Sequence, residues 1–237
     1  MRNAIVLCSG GLDSVVTAYY VKKKLKNKYN KIIILFFNYR QRSLKEEKKF
    51  SKECAENLEV EFIEIKLDFF QKNNLLIKGS NLNVKKIKRK ELKNTKKESK
   101  KFYVPFRNSV FLIYAAILAE NLFVKNKKIY DIFVGFKNEG KESYSDTTQE
   151  FLNSMNNLIK THKLKSRLIG PLIKKDKDEI ILLGKIMRAI YEKVYIISNS
   201  IHGNPEFLHK IESLGVQVFT VHEAYSYVWG KKDFRDY

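Results

Sequence analysis

An α/β fold with a doubly wound parallel sheet is predicted by three features of this chain. Short apolar runs alternate with longer amphipathic ones through its first half. One run is apolar without a break from Ile32 to Phe37, as a strand buried on both faces requires. The first run ends in a two-glycine turn that opens directly into a helical pattern, the geometry of a βα unit.

The elements follow in order. Residues 3–8 form the first strand. Residues 14–26 form a helix with Val15, Tyr19 and Leu25 turned inward. Residues 31–38 are the buried strand and 44–58 the second helix. Glu61–Lys66 sets Phe62, Ile63 and Ile65 against Glu64 and Lys66, a short strand. Residues 71–101 show no clear periodicity and are expected to be an extended or partly disordered basic insertion. A helix over 109–121 follows, with Asn108 as its N-cap and Val110, Ile113, Ala116 and Ile117 on its inner side. Residues 131–135 are a strand. A helix from about 146 to 160 turns Phe151, Met155 and Leu158 inward. Residues 169–172 are extended, and 177–191 are helical. The end reads as a strand (194–198), a helix (205–214), a strand (216–221) and an aromatic, charged tail. The expected organisation is one domain over 1–192 and a C-terminal αβ extension, 193–237, packed on it.

At 237 residues with 44% apolar content, the chain can bury a substantial core. No apolar run was expected to approach the roughly 20 residues of a transmembrane helix. Residues 1–8 run straight into the glycine turn, so no signal peptide is expected. Cys8 and Cys54 are the only cysteines. No disulfide framework is implied, and a cytoplasmic location with no membrane partner is expected. The net charge of +20 suits a polyanion such as tRNA. It equally suits a Lys-, Ile- and Asn-rich composition from an AT-rich genome. Residues 78–101 hold eleven Lys or Arg against Glu91 and Glu98. A solvated loop and a tRNA contact both fit.

The chemistry begins at Leu7-Cys8-Ser9-Gly10-Gly11-Leu12-Asp13-Ser14. Glycines let backbone N–H groups close around phosphate oxygens, and the helix behind aims its unsatisfied N–H groups at the same place. Ser9 and Ser14 add hydroxyls, and Asp13 could hold a magnesium ion. The stretch lacks the spacing and the lysine of a Walker A loop. The bland alternative is a glycine turn with no ligand. After the second strand come Tyr39, Arg40, Gln41 and Arg42, with Glu46 on the first turn of the next helix, facing back. Arg42 offers a planar fork of donors for phosphate or carboxylate. A basic turn with a dipole-compensating glutamate is the plainer account. In Val104-Pro105-Phe106-Arg107-Asn108, Arg107 puts a positive charge beside a helix N-terminus, suited to triphosphate or departing pyrophosphate. Between Gly135 and Phe151, Tyr144 offers an aromatic face. Asp146 either accepts from an amidine-like purine edge or simply caps the helix it opens.

The first of these patterns resembles the S-G-G-x-D-S loop of the PP-loop ATP pyrophosphatases, which are adenine nucleotide α-hydrolase-like in fold. Together they resemble the 7-cyano-7-deazaguanine synthase (QueC) family, over about residues 4 to 190. That family carries Y-G-Q-R-H-x-x-E, V-P-x-R-N and a G-x(8)-Y-P-D loop. This chain has Tyr39, Gln41, Arg42 and Glu46, then 104–108, then Gly135, Tyr144 and Asp146, with Pro171-Leu172 and the Lys177 to Ile180 helix start also fitting. Arg40 stands in place of a glycine, Ser43 of a histidine and Ser145 of a proline.

The resemblance implies ATP-driven conversion of 7-carboxy-7-deazaguanine to its nitrile with ammonia, through an adenylated carboxylate. ATP and Mg2+ are then the cofactors, and a homodimer is expected. The resemblance assigns Asp13, Arg42 and Arg107 to catalysis. It assigns Leu7, Cys8, Ser9, Gly10, Gly11, Leu12, Asp13, Ser14 and Asn108 to ATP, and Tyr39, Gln41, Glu46, Tyr144 and Asp146 to the deazaguanine. Family members close with a zinc site of four cysteines, whereas no cysteine follows Cys54 here. Zinc is therefore expected to be absent, with His202, His209 and His222 not assigned to a metal. A PP-loop enzyme that adenylates a tRNA base or a protein terminus, and a nucleotide-binding subunit without catalysis, remain open alternatives.

Overall fold

A computed structural model describes residues 1–41, 43–67, 104, 106–137 and 144–187. The basic insertion, Arg42, Pro105, the 138–143 loop, the C-terminal extension and its three histidines lie outside the described residues. The elements are β1 (Arg2–Leu7), α1 (Leu12–Lys24), β2 (Tyr29–Asn38), α2 (Leu44–Asn57) and β3 (Glu61–Lys66). There follow α3 (Arg107–Asn126), β4 (Tyr130–Phe133), a 3-10 turn (Ser145–Thr147), α4 (Gln149–Thr161), β5 (Leu168–Ile169) and α5 (Lys177–Ile186).

All five strands pair in parallel, in the order β3-β2-β1-β4-β5. The chain moves outward from β1 to β3, then returns to β4 on the other side of β1. The loops after β1 and β4 therefore leave the sheet at the switch point, where ligands of such sheets bind. The uninterrupted run of β2 is buried from Ile32 to Phe37, as expected of an inner strand. Asp131, fully buried at the opposite edge, clasps the strand starts together. It accepts hydrogen bonds from Arg2 Nε (2.7 Å), Arg2 Nη2 (2.6 Å), Tyr29 Oη (2.8 Å) and Arg167 Nη2 (2.7 Å).

The helices correct the sequence in their phase. In α1 the buried residues are Ser14, Val16, Thr17, Ala18, Tyr19 and Val21, while Val15 and Leu25 are half-buried. In α3 the inner face is Leu112, Ala115, Ala116 and Ala119, with Ile113 and Ile117 exposed. Small residues win these positions because they let a helix axis approach the sheet closely. A helix apolar all round carries no phase in its pattern. In α4 the inner residues are Leu152, Met155 and Ile159. Phe151 is half-buried and Leu158 exposed. Residues 171–174 form a turn, not an extended segment.

Contrary to the sequence expectation, α3 has 20 residues and a mean hydropathy of 1.3, enough to cross a membrane by length and composition. Here its alanine face packs on the sheet as part of the core.

Burial alone would raise the Asp131 carboxyl, but the hydrogen bonds from Arg167, Arg2 and Tyr29 outweigh it and hold the group below the usual carboxylate range. A depressed carboxylate stabilises the fold above its unfolded value, near pH 4, and loses that contribution as pH falls through the folded value. Asp131→Asn should therefore lower stability by about 3 kcal/mol at pH 7. Urea titrations should show that deficit shrinking below about pH 4.

Candidate active site

The loop after β1 is shaped by backbone contacts. Gly10 takes φ 76°, in the left-handed region, and a Cβ there would lie 2.7 Å from Glu47 O and 2.8 Å from Phe50 Cβ on α2. Only glycine fits both demands. On the other side Gly135, just past β4, would place a Cβ 2.9 Å from the Asp13 carbonyl and from Ser14 Cα. The start of α1 is thus pressed from β4 while the loop is pressed from α2.

Helix α1 begins at Leu12 with Gly11 as its cap, two residues before the sequence pattern placed it. Ser14 lies inside the first turn, and its hydroxyl donates to Gly11 O (2.8 Å) and accepts from Ser9 N (3.2 Å). Its proton is thus donated within the loop. Cys8 is buried beneath: Ser51 Oγ donates to Cys8 O (2.9 Å), and the Sγ lies 3.6 Å from Ser14 Oγ. A hydrogen bond with the Cys54 thiol draws the Cys8 thiol below its usual range, against its burial. Leu7 ends β1 and Ser9 is exposed at the loop's rim. Asp13 is ion-paired: Lys177 Nζ donates to its Oδ1 at 2.9 Å. The sequence placed Lys177 only at a helix start; its pairing with Asp13, 164 residues away, came from the fold.

The turn after β2 is organised around Gln41, which is buried. Its Nε2 donates to Phe37 O (3.1 Å) and Glu47 Oε2 (2.8 Å), and its Oε1 accepts from Tyr39 N (3.1 Å). Glu47 also accepts from Ser43 Oγ. Glu47, the residue after Glu46, thus turns back to the loop. Arg40 takes φ 56°. That left-handed geometry explains why a glycine suits the position in the family pattern.

Arg107 is the first residue of α3, directly after Phe106 at φ 57°. Asn108 is therefore a helical residue and not the N-cap. Its Nδ2 donates to Asp146 O at 3.2 Å. The Arg107 guanidinium lies 6.0 Å over the Phe111 ring, which also packs against Tyr39 at 5.4 Å. Burial pushes the Tyr39 phenol up, and Arg107 pulls it back. Burial also pushes the carboxyls of Glu47 and Asp146 above the usual range, and the Arg107 charge opposes both shifts. The charge of one guanidinium thus acts on a phenol and two desolvated carboxyls. Asp146 is buried in the 3-10 turn, and Thr148 is the cap of α4, accepting from Phe151 N at 3.1 Å. This removes the capping account of Asp146. Tyr144, half-buried, precedes it.

A parallel α/β sheet with a glycine loop at its switch point is the fold of the PP-loop class. The chain belongs to the QueC family, described as queuosine biosynthesis protein QueC, whose family model matches residues 3–200. Curated relatives agree. The 7-cyano-7-deazaguanine synthase of Pyrococcus abyssi is 33% identical over 213 residues, covering 87% of this chain and 83% of its own. Those of Clostridium kluyveri (31%, 84% of this chain and 85% of its own) and Methanococcus vannielii (33%, 77% and 76%) are similar.

Gly10→Ala should cost about 2 kcal/mol from the left-handed backbone and the contact with α2. Thermal unfolding together with ATP titration should show a lowered Tm and lost nucleotide binding, whereas Gly11→Ala, with its Cβ 3.5 Å from Ser9 Oγ, should be better tolerated.

Proposed function

We propose that this chain converts 7-carboxy-7-deazaguanine to 7-cyano-7-deazaguanine, using ATP and ammonia. The observation that carries the reading is the clamped loop beside Arg107, with Tyr39 and Asp146 at the same guanidinium. The family and its similarly named relatives support it.

In this reading the substrate carboxylate oxygen attacks the α-phosphorus of ATP and pyrophosphate leaves. Ammonia then displaces AMP to form the amide. A second adenylation, now on the amide oxygen, lets AMP depart as the nitrile forms. The N–H groups of Leu12, Asp13 and Ser14 face the phosphates as the first unpaired donors of α1. Arg107, with Arg42 as the second cation, offsets the charge that builds at the α-phosphate. Asn108 braces the Asp146 backbone, and Gln41 braces the turn that carries Tyr39. Gln41 is thereby a positioning residue more than a direct contact. Tyr144 and Asp146 face the deazapurine, the carboxylate accepting from its amidine-like edge. No nucleophilic side chain is needed, since positioning and electrostatics carry the steps. A magnesium ion with the triphosphate would neutralise phosphate charge, and Asp13, a half-exposed carboxylate at the loop, fits it.

Incubation with ATP, ammonium and 7-carboxy-7-deazaguanine should release AMP and yield the nitrile by mass spectrometry. No AMP release with that substrate would overturn the assignment. Arg107→Ala should lower kcat/KM about a hundredfold, and Arg107→Lys less.

A further inference from the structure

The reaction read for this site consumes ammonia, and no side chain named in its steps takes a proton. At neutral pH the dissolved form is mostly ammonium. It has no lone pair and attacks a carbonyl only after a base has removed a proton. Asp13 is engaged by Lys177 (2.9 Å). The Tyr39 phenol, pushed up by burial, holds its own proton. Asp146 is turned to the deazapurine in that reading. Glu47 is a half-buried carboxylate at the same edge, and the steps give it no task.

Its placement suits the task. Glu47 lies in the first turn of α2, and its backbone carbonyl is the atom that a Cβ on Gly10 would meet at 2.7 Å. The residue therefore abuts the glycine loop. Its side chain is fixed from two directions: Gln41 Nε2 donates to Oε2 at 2.8 Å, and Ser43 Oγ donates to Oε1. A carboxylate accepts about four hydrogen bonds, so these two leave a position on each oxygen for an N–H donor. Ser43 stands where the family pattern has a histidine, a residue that itself takes up protons. A serine does not, but this one donates to a carboxylate one helical turn further on. The group that accepts a proton at this corner is thus Glu47, with Ser43 orienting it. Burial raises its carboxyl despite both hydrogen bonds and the Arg107 charge, which makes it a stronger base than a surface glutamate.

We propose that Glu47 is a catalytic residue that receives ammonium and takes one of its protons, delivering ammonia to the adenylated carboxyl. This rests on the reading of the chain as a 7-cyano-7-deazaguanine synthase. An N–H bond of ammonium breaks, its electron pair stays on nitrogen, and the proton passes to a Glu47 oxygen. The nitrogen lone pair forms the C–N bond. The bond from carbon to the AMP oxygen breaks, and its pair leaves with AMP. The second proton that nitrogen sheds goes to solvent, and Glu47 returns its own to solvent before the next ammonium binds.

The test separates adenylation from the amine step in the full chain. Exchange of labelled pyrophosphate into ATP, with 7-carboxy-7-deazaguanine and no ammonium, reports adenylation alone. Amide formation from ammonium reports both steps. Hydroxylamine, which is neutral at pH 7 and needs no base to free its lone pair, replaces ammonium in a third assay and traps the hydroxamate. Glu47→Gln should keep exchange within about twofold and lower kcat/KM for ammonium about a hundredfold, the loss of a general base. Its hydroxamate formation should stay within about threefold of the unsubstituted chain. Glu47→Asp keeps a carboxylate on a shorter stem and should fall about tenfold with ammonium alone. It carries the test if Glu47→Gln does not fold. A glutamate that only braces the turn of Gln41 and Tyr39 predicts equal losses in exchange, amide and hydroxamate. Equal losses in either folded variant, or ammonium turnover unchanged in Glu47→Gln, overturn the proposal and leave the synthase reading standing. If the unsubstituted chain shows no exchange with 7-carboxy-7-deazaguanine, the synthase reading fails and this proposal with it.

Discussion

Two backbone contacts hold the glycine loop after β1 in shape, and the rest of the candidate site depends on them. Gly10 lies against the α2 backbone and Gly135 against the start of α1. Neither contact tolerates a Cβ without displacement. Because the approach is backbone to backbone, the loop geometry is independent of side-chain rotamers and available before any ligand arrives. Such preorganisation is what a phosphate site needs if its donors are to act without reorganising. The parallel sheet makes both contacts possible. β1 lies between β2 and β4, so α2 follows from one neighbour and Gly135 from the other.

The two edges of the sheet have different electrostatic roles. At the strand starts, Asp131 is saturated by two arginines and a tyrosine, an arrangement that fixes strands relative to one another. At the strand ends, charges are shared more loosely. The Arg107 charge acts on Glu47, Asp146 and Tyr39, and burial raises both carboxyls despite that charge and, at Glu47, the hydrogen bonds from Ser43 and Gln41. An imperfectly balanced, partly desolvated cluster is what a binding edge looks like before its ligand completes it. Lys177 and Asp13 extend that pattern to the mouth of the loop.

Much of this was legible in the residues. The unbroken apolar run of β2, the glycine turn and the β–α alternation were enough to specify a parallel sheet and the loop's place at its edge. Phase and partners were not. Val15, Ile113, Ile117 and Leu158 look like core residues by size, yet alanines and serines occupy the closest approaches. Glu46 and Glu47 are adjacent acids on one helix turn, and that Glu47 meets Gln41 came from the fold. Asn108 and Asp146 both read as helix caps. Phe106 and Thr148 take those places because backbone dihedrals, and not side-chain type, decide where a helix begins.

Local rules thus set the class of fold and the glycine loop at its edge, because glycine geometry and apolar periodicity act between near neighbours in the chain. The pairing of Lys177 with Asp13, the gathering of Tyr39, Glu47, Arg107 and Asp146, and the clasp of Asp131 by Arg2 and Arg167 came from the fold. These groups are far apart in sequence, and nothing in their local pattern encodes the distance between them. Strand order brings them together.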